Sequence, residues 1–107
     1  MKELKRLAKR SELGVARTGS YGGNGSGDIM VAFSTKNKIK QHNDYMEENI
    51  VRFADSYMNM LFKACVDATE EAILNSMLFA TPLTSYNGTH YKSLMEYKEL
   101  FEDLLEK

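Results

Sequence analysis

The sequence predicts an α/β fold that is incomplete by itself, a single partial domain over residues 1–107. Three segments repeat apolar residues at helical spacing, and one short segment is apolar on both faces, which is typical of a central strand. A chain of 107 residues is long enough for one domain at most, since domains usually hold ~100–150 residues. The predicted order is helix, glycine-rich loop, central strand, candidate second strand and two helices.

The first helix is predicted over residues 2–13. Leu4, Leu7 and Ala8 fall on one face, and basic side chains surround that face. Gly14 is predicted to end the helix in a left-handed conformation, with Lys9 and Arg10 near the negative end of its dipole. We interpret the basic face as solvated, because acidic residues dilute its charge and no aromatic side chains are interleaved for base stacking.

A glycine-rich loop follows, and a strand follows the loop. Five of the seven glycines lie within residues 19–27, a density that favours loop over regular structure. Residues 28–34 alternate Ile29, Val31 and Phe33 with Met30 and Ala32, so both faces are apolar. Ile50 to Phe53 is the one weak candidate for a neighbouring strand. Two strands do not form a stable sheet alone, so the other strands are expected from elsewhere.

Two helices are predicted in the second half. Asp55 or Ser56 can cap a long helix that ends near Ala80. Its predicted buried stripe comprises Met58, Leu61, Phe62, Cys65, Ala68, Thr69, Ala72, Ile73 and Ser76. Pro82, Asn87 and Gly88 mark a break. Ser93 and Glu96 then form a capping box for a final helix, whose apolar face comprises Leu94, Tyr97, Leu100, Phe101, Leu104 and Leu105.

Composition disfavours several classes of protein. The formal net charge of −1 gives no electrostatic reason to expect nucleic acid or an anionic membrane as partner. No apolar run approaches the ~18 residues of a membrane span, and the basic N-terminus lacks the apolar region of a secretory signal. Cys65 is the single cysteine, so no intrachain disulfide is possible. We therefore expect a cytoplasmic protein.

Cofactor and metal sites find little support in the sequence. The glycine loop precedes a strand rather than a helix, and it lacks the Gly-Lys-Ser/Thr of a phosphate-binding loop. His42 and His90 are far apart and outside any metal-binding spacing, so they are interpreted as surface residues. Cys65 lies on the apolar stripe and is interpreted as core. We expect no metal and no cofactor.

Two sets of polar residues remain as candidates for chemistry. Asp67 shares a helix face with Glu70 and Glu71, and we favour a solvated acidic patch near Lys63 over a catalytic pair. Ser26 and Asp28 stand two residues apart where the loop meets the strand. They could form part of a proton relay, and the amides of Gly25 and Gly27 could donate to an oxyanion or a polar partner.

The stretch KRLAKRSELGVARTGSYGGNGSGDIMVAFST resembles the second half of the DmpA/BapA family of L-aminopeptidase/D-Ala-esterase/amidases and β-aminopeptidases. The stretch LFKACVDATEEAILNSMLFAT resembles that family's C-terminal helix. Together the two segments cover most of residues 4–81. The resemblance implies an αββα sandwich made by autoproteolysis of one precursor into an α and a β chain, and residues 1–107 are identified as the C-terminal portion of the β chain.

The family resemblance also implies an activity and the residues that serve it. The new N-terminal serine of the β chain acts as nucleophile, with its own α-amino group as base, and an acyl-enzyme forms without a metal. Ser26 matches a second active-site serine, and Asp28 matches the acidic position two residues later. Asn24, Gly25 and Gly27 belong to the same motif and are expected to shape the substrate pocket. No catalytic role is carried over to Glu70 or Glu71.

The resemblance also predicts what this chain lacks. The nucleophilic serine, the strand it opens and the whole α chain are expected outside residues 1–107, so this chain alone is expected to be inactive. The expected partners are those missing parts, a short peptide or aminoacyl amide substrate, and further copies in an oligomer. Two alternatives stay open. The chain could be an inactive remnant or interaction module that pairs its strand with a partner. It could also belong with ornithine acetyltransferase-like self-processing enzymes, but the segment ARTGSYGGNGSGD favours the peptidase branch.

Overall fold

The computed structural model of the chain describes residues 2–38 and 49–102. Two α-helices dominate it, α1 (Lys2–Arg17) and α2 (Met58–Leu78), with a 3-10 turn at Asp55–Tyr57 leading into α2. A two-stranded antiparallel sheet follows, with β1 at Leu83–Thr84 and β2 at His90–Tyr91. A 3-10 helix, Leu94–Leu100, comes last. The architecture is therefore a helix pair with a small sheet, a mixed α and β arrangement as predicted.

The first helix continues past the predicted stop at Gly14 and ends at Arg17. Gly14 is buried where α1 crosses α2, and a Cβ there would lie 2.6 Å from the Cβ of Thr69. Gly19 ends the helix instead: its φ is +106° and its N–H donates to the carbonyl of Ala16 at 3.1 Å. The prediction for Gly14 was wrong because this glycine permits close packing between helices rather than a left-handed turn.

The helix pair buries a small apolar core. Met58, Phe62 and Val66 of α2 are its buried members among the described residues. Phe62 also makes cation–π contacts with two arginines of α1. The guanidinium carbon of Arg10 lies 4.6 Å from the ring centroid, and that of Arg6 lies 5.1 Å from it. The basic residues of α1 are thus partly engaged in contacts within the chain rather than simply solvated.

The predicted stripe of α2 is only partly buried. Its beginning packs against α1, whereas Ala68, Ala72 and Ser76 are exposed and line an open groove of about 520 Å³. Ser11, Val15, Met30, Cys65, Thr69 and Ile73 complete that groove. The helical spacing was correct, but in the second half of the stripe Ala68, Ala72 and Ser76 stay exposed among the described residues.

The predicted central strand, residues 28–34, has no strand assignment in the structure. Ile29, Val31 and Phe33 are 93%, 83% and 80% exposed, whereas Met30 and Ala32 are partly covered. Ile50 to Phe53 also lacks a strand assignment. A strand is defined by hydrogen bonds to a neighbour, and the described part of the chain provides no ladder for either segment.

One side chain nevertheless joins these two segments. The amide nitrogen of Asn37 donates to the carbonyl of Val51 at 2.8 Å, and the N–H of Val51 donates to Asn37 Oδ1 at 2.9 Å. These two hydrogen bonds resemble those of an antiparallel bridge, except that the Asn37 side chain takes the place of one backbone. They hold the segment after the predicted strand beside the segment that leads into α2.

The predicted cap of the long helix is absent, but the later capping box is present. The side chains of Asp55 and Ser56 make no cap, because a 3-10 turn precedes α2 and Tyr57 stands at its N-cap without a side-chain bond. Ser93 and Glu96 do form the capping box, with the Ser93 N–H donating to Glu96 Oε2 at 2.8 Å. The element it opens is a 3-10 helix with a kink at Tyr97 rather than an α-helix.

The sheet of β1 and β2 was not predicted. Leu83 pairs with Tyr91 and Thr84 with His90, and the turn between them contains Asn87 and Gly88. Gly88 has a φ of +83°, which glycine adopts readily. An Asn-Gly pair between extended residues is a strong hairpin signal, so the sequence did contain the information.

Candidate functional site

The glycine-rich loop begins at the end of α1, where Arg17 ties it to α2. Arg17 Nη1 donates to Asp67 Oδ1 at 2.7 Å and to Glu70 Oε2 at 3.0 Å. Thr18 then turns the chain, with its Oγ1 donating to the carbonyl of Val15 at 2.8 Å. The first residues of the loop therefore have a defined position relative to both helices.

The Asp67 carboxylate is paired with two cations, Arg17 and Lys63. Lys63 Nζ donates to Asp67 Oδ2 at 2.7 Å, one turn away on α2. Hydrogen bonds from Lys63 and then from Arg17 hold the pKa of Asp67 below its ordinary value. The same contacts, with Asp67 first and Glu70 second, raise the pKa of Arg17. A lowered pKa makes Asp67 a weaker general base, which favours the non-catalytic interpretation of this patch. Asp67 and Glu70 belong to an ion-pair cluster and are not merely solvated.

A tight turn shapes the centre of the loop. The N–H of Ser26 donates to the carbonyl of Gly23 at 3.0 Å, which closes a four-residue turn over Asn24 and Gly25. Gly25, at the third position of the turn, has a φ of +90°, the conformation that a type II turn requires there. The turn presents Ser26 directly after a residue whose conformation other amino acids rarely adopt.

Two concave regions meet at this turn. One, of about 430 Å³, is lined by Glu12, Leu13, Val15, Ala16, Ser20, Tyr21, Gly22, Ser26, Gly27 and Asp28. The other, of about 400 Å³, is lined by Gly19, Ser20, Tyr21, Gly23, Asn24, Gly25 and Ser26. Ser26 lines both, Gly27 and Asp28 line the first, and Asn24 and Gly25 line the second. All five predicted site residues thus lie around one short stretch of loop.

The predicted proton relay is not assembled within this stretch. Ser26 and Asp28 are both exposed, and no hydrogen bond joins their side chains within the described part of the chain. Since neither group is held by a neighbour there, they have the chemistry of a relay without its rigid geometry. The loop can offer a hydroxyl, a carboxylate and backbone amides to a group that approaches from outside.

Two residues of the site were not singled out from the sequence. Arg17 anchors the loop to α2. Its position between the predicted first helix and the glycine-rich loop was the sequence signal that could have indicated this role. Tyr21 lines both concave regions, and its hydroxyl would lie 3.0 Å from a Cβ placed on Gly23. The lack of a side chain at Gly23 leaves room for the Tyr21 ring beside the backbone, and a tyrosine near a glycine is too common a pattern to identify in advance.

The other sequence candidates have structural surroundings. Cys65 Sγ lies 3.4 Å from Ser11 Oγ and 3.5 Å from the carbonyl of Leu7, between the helices. His90 Nδ1 lies 3.2 Å from Thr84 Oγ1 in the hairpin, and His42 is outside the described residues. Within residues 2–38 and 49–102, no three potential metal ligands come together, and no helix has the length and apolarity needed to cross a bilayer.

Known proteins are similar to this chain in sequence and in structure. The model of Peptidase family S58 matches residues 1–91. The chain is 44% identical over 86 residues to the β-peptidyl aminopeptidase BapA of Sphingosinicella microcystinivorans, and 40% identical over 87 residues to that of Sphingosinicella xenopeptidilytica. Each match covers 80% of this chain and 22% of the relative, so the chain spans about a fifth of their length.

A solved structure agrees with the sequence matches. The crystal structure of the PH0078 protein from Pyrococcus horikoshii OT3 superposes with a TM-score of 0.81 at 44% identity, covering 92% of this chain and 28% of that protein. The arrangement of α1, the glycine loop and α2 therefore recurs inside a longer protein. With a family model that matches residues 1–91, this chain belongs to Peptidase family S58.

Proposed function

We propose that this chain is part of a serine-type aminopeptidase that releases N-terminal residues from peptides, amides or esters through an acyl-enzyme. Membership of a peptidase family and identity of 40–44% to two β-peptidyl aminopeptidases support this proposal. The observation that carries it is the position of Ser26, at the junction of the two concave regions and directly after the Gly23–Ser26 turn. A substrate carbonyl placed there would meet a hydroxyl and adjacent backbone amides.

The proposed reaction needs a nucleophile from outside residues 1–107. A serine hydroxyl attacks the substrate carbonyl, the amine or alcohol departs with a proton, and water then releases the acid from the acyl-enzyme. Ser26 would pass or hold a proton during these steps, with Asp28 as its acidic partner. Asn24, Gly25 and Gly27 would shape the substrate pocket and offer amides to the developing oxyanion.

The missing parts would also complete the fold. Ile29, Val31 and Phe33 are mostly exposed, and an apolar strand in that state needs neighbours. The radius of gyration is 20.2 Å, whereas a compact domain of this length has about 13 Å. Both observations support a proposal in which residues 1–107 are the C-terminal portion of the β chain, completed by an α chain and further strands into an αββα sandwich that assembles as an oligomer.

The same exposed segment favours a second candidate function. If no catalytic partner exists, the chain would act as an interaction module that pairs residues 28–34 with a strand of another chain. The exposed edge would then supply backbone hydrogen bonds, and the alternating side chains would supply specificity. This candidate requires no activity from Ser26 or Asp28.

A graft separates the two candidates. Residues 2–91 would replace the homologous segment of BapA from Sphingosinicella microcystinivorans, and hydrolysis of a β-peptidyl arylamide would be measured for the graft and for the isolated chain. The aminopeptidase proposal expects turnover by the graft and none by the isolated chain. A graft that assembles at the mass of the parent enzyme but shows no turnover would favour the interaction module.

Intact-mass spectrometry of the protein from its natural source is the companion experiment. A second subunit, together with a chain heavier than 12.2 kDa that begins with serine, is the expected result. A lone chain of 12.2 kDa would contradict the proposal that a self-processed partner supplies the nucleophile.

A further inference from the structure

Asparagine followed by glycine occurs at two positions in the chain, Asn24–Gly25 in the glycine loop and Asn87–Gly88 in the hairpin turn. Such pairs are prone to deamidation, because glycine has no side chain to hinder attack by its backbone nitrogen on the asparagine side chain. The dipeptide sequence is the same at both positions and by itself predicts similar rates of deamidation. Their surroundings in the structure differ.

The hairpin pair is held by hydrogen bonds on both reacting groups. The N–H of Gly88 donates to the carbonyl of Ser85 at 2.9 Å. Asn87 Oδ1 accepts from the N–H of Thr89 at 3.2 Å and from the hydroxyl of Ser85. Attack by the Gly88 nitrogen on Asn87 Cγ would break the hydrogen bond from Gly88 to Ser85. It would also rotate the Asn87 side chain away from the two groups that donate to its Oδ1. The fold therefore protects this pair.

The loop pair has no such restraints within the described residues. Asn24 is exposed, and neither its side chain nor the N–H of Gly25 takes part in a hydrogen bond there. Apart from Gly25 and its two chain neighbours, no atom lies within 4 Å of the position of a Cβ on Gly25, so the space beside this glycine is open. The one bond of the turn, from Ser26 to Gly23, spans the pair without engaging either reacting group.

We propose that Asn24 is a site of spontaneous modification, which converts to isoaspartate and aspartate while Asn87 is spared. The Gly25 nitrogen loses its proton to a solvent base and bonds to Asn24 Cγ. The bond from Cγ to the side-chain nitrogen breaks, and ammonia leaves with a proton from solvent. Water then opens the resulting succinimide at either carbonyl. The sum is one amide and one water giving one carboxylic acid and one ammonia, with no oxidation.

The modification would alter the candidate site directly. A new carboxylate would stand two residues before Ser26, and the isoaspartate product would add a methylene to the backbone inside the turn that ends at Ser26. This inference does not depend on the proposed function, since it concerns the chemistry of the loop itself.

The test compares the two pairs in one molecule. The protein from its natural source, with any second subunit retained, would be incubated at mildly alkaline pH, and modification at each site would be followed by peptide mapping with isoaspartyl methyltransferase labelling. Asn24 should convert at least about tenfold faster than Asn87, the scale of losing one or two hydrogen bonds. In denaturant the two rates should converge, because the protection of Asn87 comes from the fold.

Two variants sharpen the comparison. Ser85→Ala removes one restraint on Asn87 and should accelerate its conversion without changing that of Asn24. Asn24→Gln should abolish most of the early modification, because closing a larger ring is slower. Equal rates at the two sites in the folded chain, faster conversion of Asn87, or no conversion of Asn24 would each overturn the proposal.

Discussion

Gly14 lies directly against Thr69 where the two helices cross, so closely that a Cβ on Gly14 would stand 2.6 Å from Thr69 Cβ and 2.7 Å from the carbonyl oxygen of Val66. A backbone oxygen of α2 cannot rotate away as a side chain could. The separation of the helices at their crossing therefore depends on the absence of a side chain at position 14.

Gly14→Ala is expected to destabilise the helix pair. Alanine would add up to about 1 kcal/mol of helix propensity, but overpacking of a close contact costs about 1–3 kcal/mol. We expect a net loss of about 1–2 kcal/mol in the free energy of unfolding, measured by urea denaturation of the chain.

Gly27→Ala is the matched control for Gly14→Ala. Apart from its chain neighbours, Gly27 has no atom within 4 Å of its Cβ position, and its φ is not positive. The free energy of unfolding of Gly27→Ala should therefore differ from that of the natural chain by less than about 0.5 kcal/mol. Equal effects of the two substitutions would contradict the close-packing role of Gly14.

Lys63→Gln should raise the pKa of Asp67 more than Arg17→Gln does. The hydrogen bond from Lys63 is the largest cause of the lowered pKa, and that from Arg17 is the second. A titration of the Asp67 carboxyl carbon by nuclear magnetic resonance would rank the two variants. A larger rise with Arg17→Gln would show that the interhelical contact dominates over the contact within α2.

Glu3 predicts a distinct acid dependence of stability. A hydrogen bond from Arg52 lowers the pKa of Glu3 from 4.5 to about 2, and the Glu3 side chain is only 16% exposed. A lowered pKa in the folded state stabilises the fold fully above pH 4.5, and this contribution is lost as the pH falls toward 2. Unfolding midpoints recorded across this window should therefore fall more steeply for the natural chain than for Glu3→Gln.

Glu71→Gln serves as the control for the Glu3 prediction, because Glu71 is exposed on α2. Its pH profile should follow that of the natural chain. Coincident profiles for Glu3→Gln and the natural chain would show that the contact with Arg52 does not persist in solution.

Ser26→Ala is the most direct test of the candidate site. In the graft described above, loss of a group that takes part in proton transfer should lower kcat/KM by at least about tenfold. Ser20→Ala is the matched control, since Ser20 lines the same two concave regions without a proposed role, and its rate should stay near that of the unsubstituted graft. Parent-like rates for Ser26→Ala would exclude Ser26 from the mechanism.

Residues 2–17 and 58–78 illustrate how far the sequence leads. Their helical periodicity, the loop between glycines 19 and 27, and the capping box at Ser93 follow from local rules, because each depends on residues within a few positions of one another. The cluster of Ser26, Asp28 and their neighbours is also local. The five proposed site residues are consecutive, so the sequence by itself places them in one loop, whereas the turn over Asn24 and Gly25 was not predicted.

Tertiary structure decided what depends on distant partners. Gly14 could be identified as a packing position only from its contact with Thr69. Arg17 could be identified as an anchor only from its ion pairs with Asp67 and Glu70. The alternating residues from Ile29 to Phe33 predict a strand, yet they remain without one because a strand exists only through hydrogen bonds to a neighbour. Local sequence determines what a segment can form, and contacts between segments distant in sequence determine whether it does.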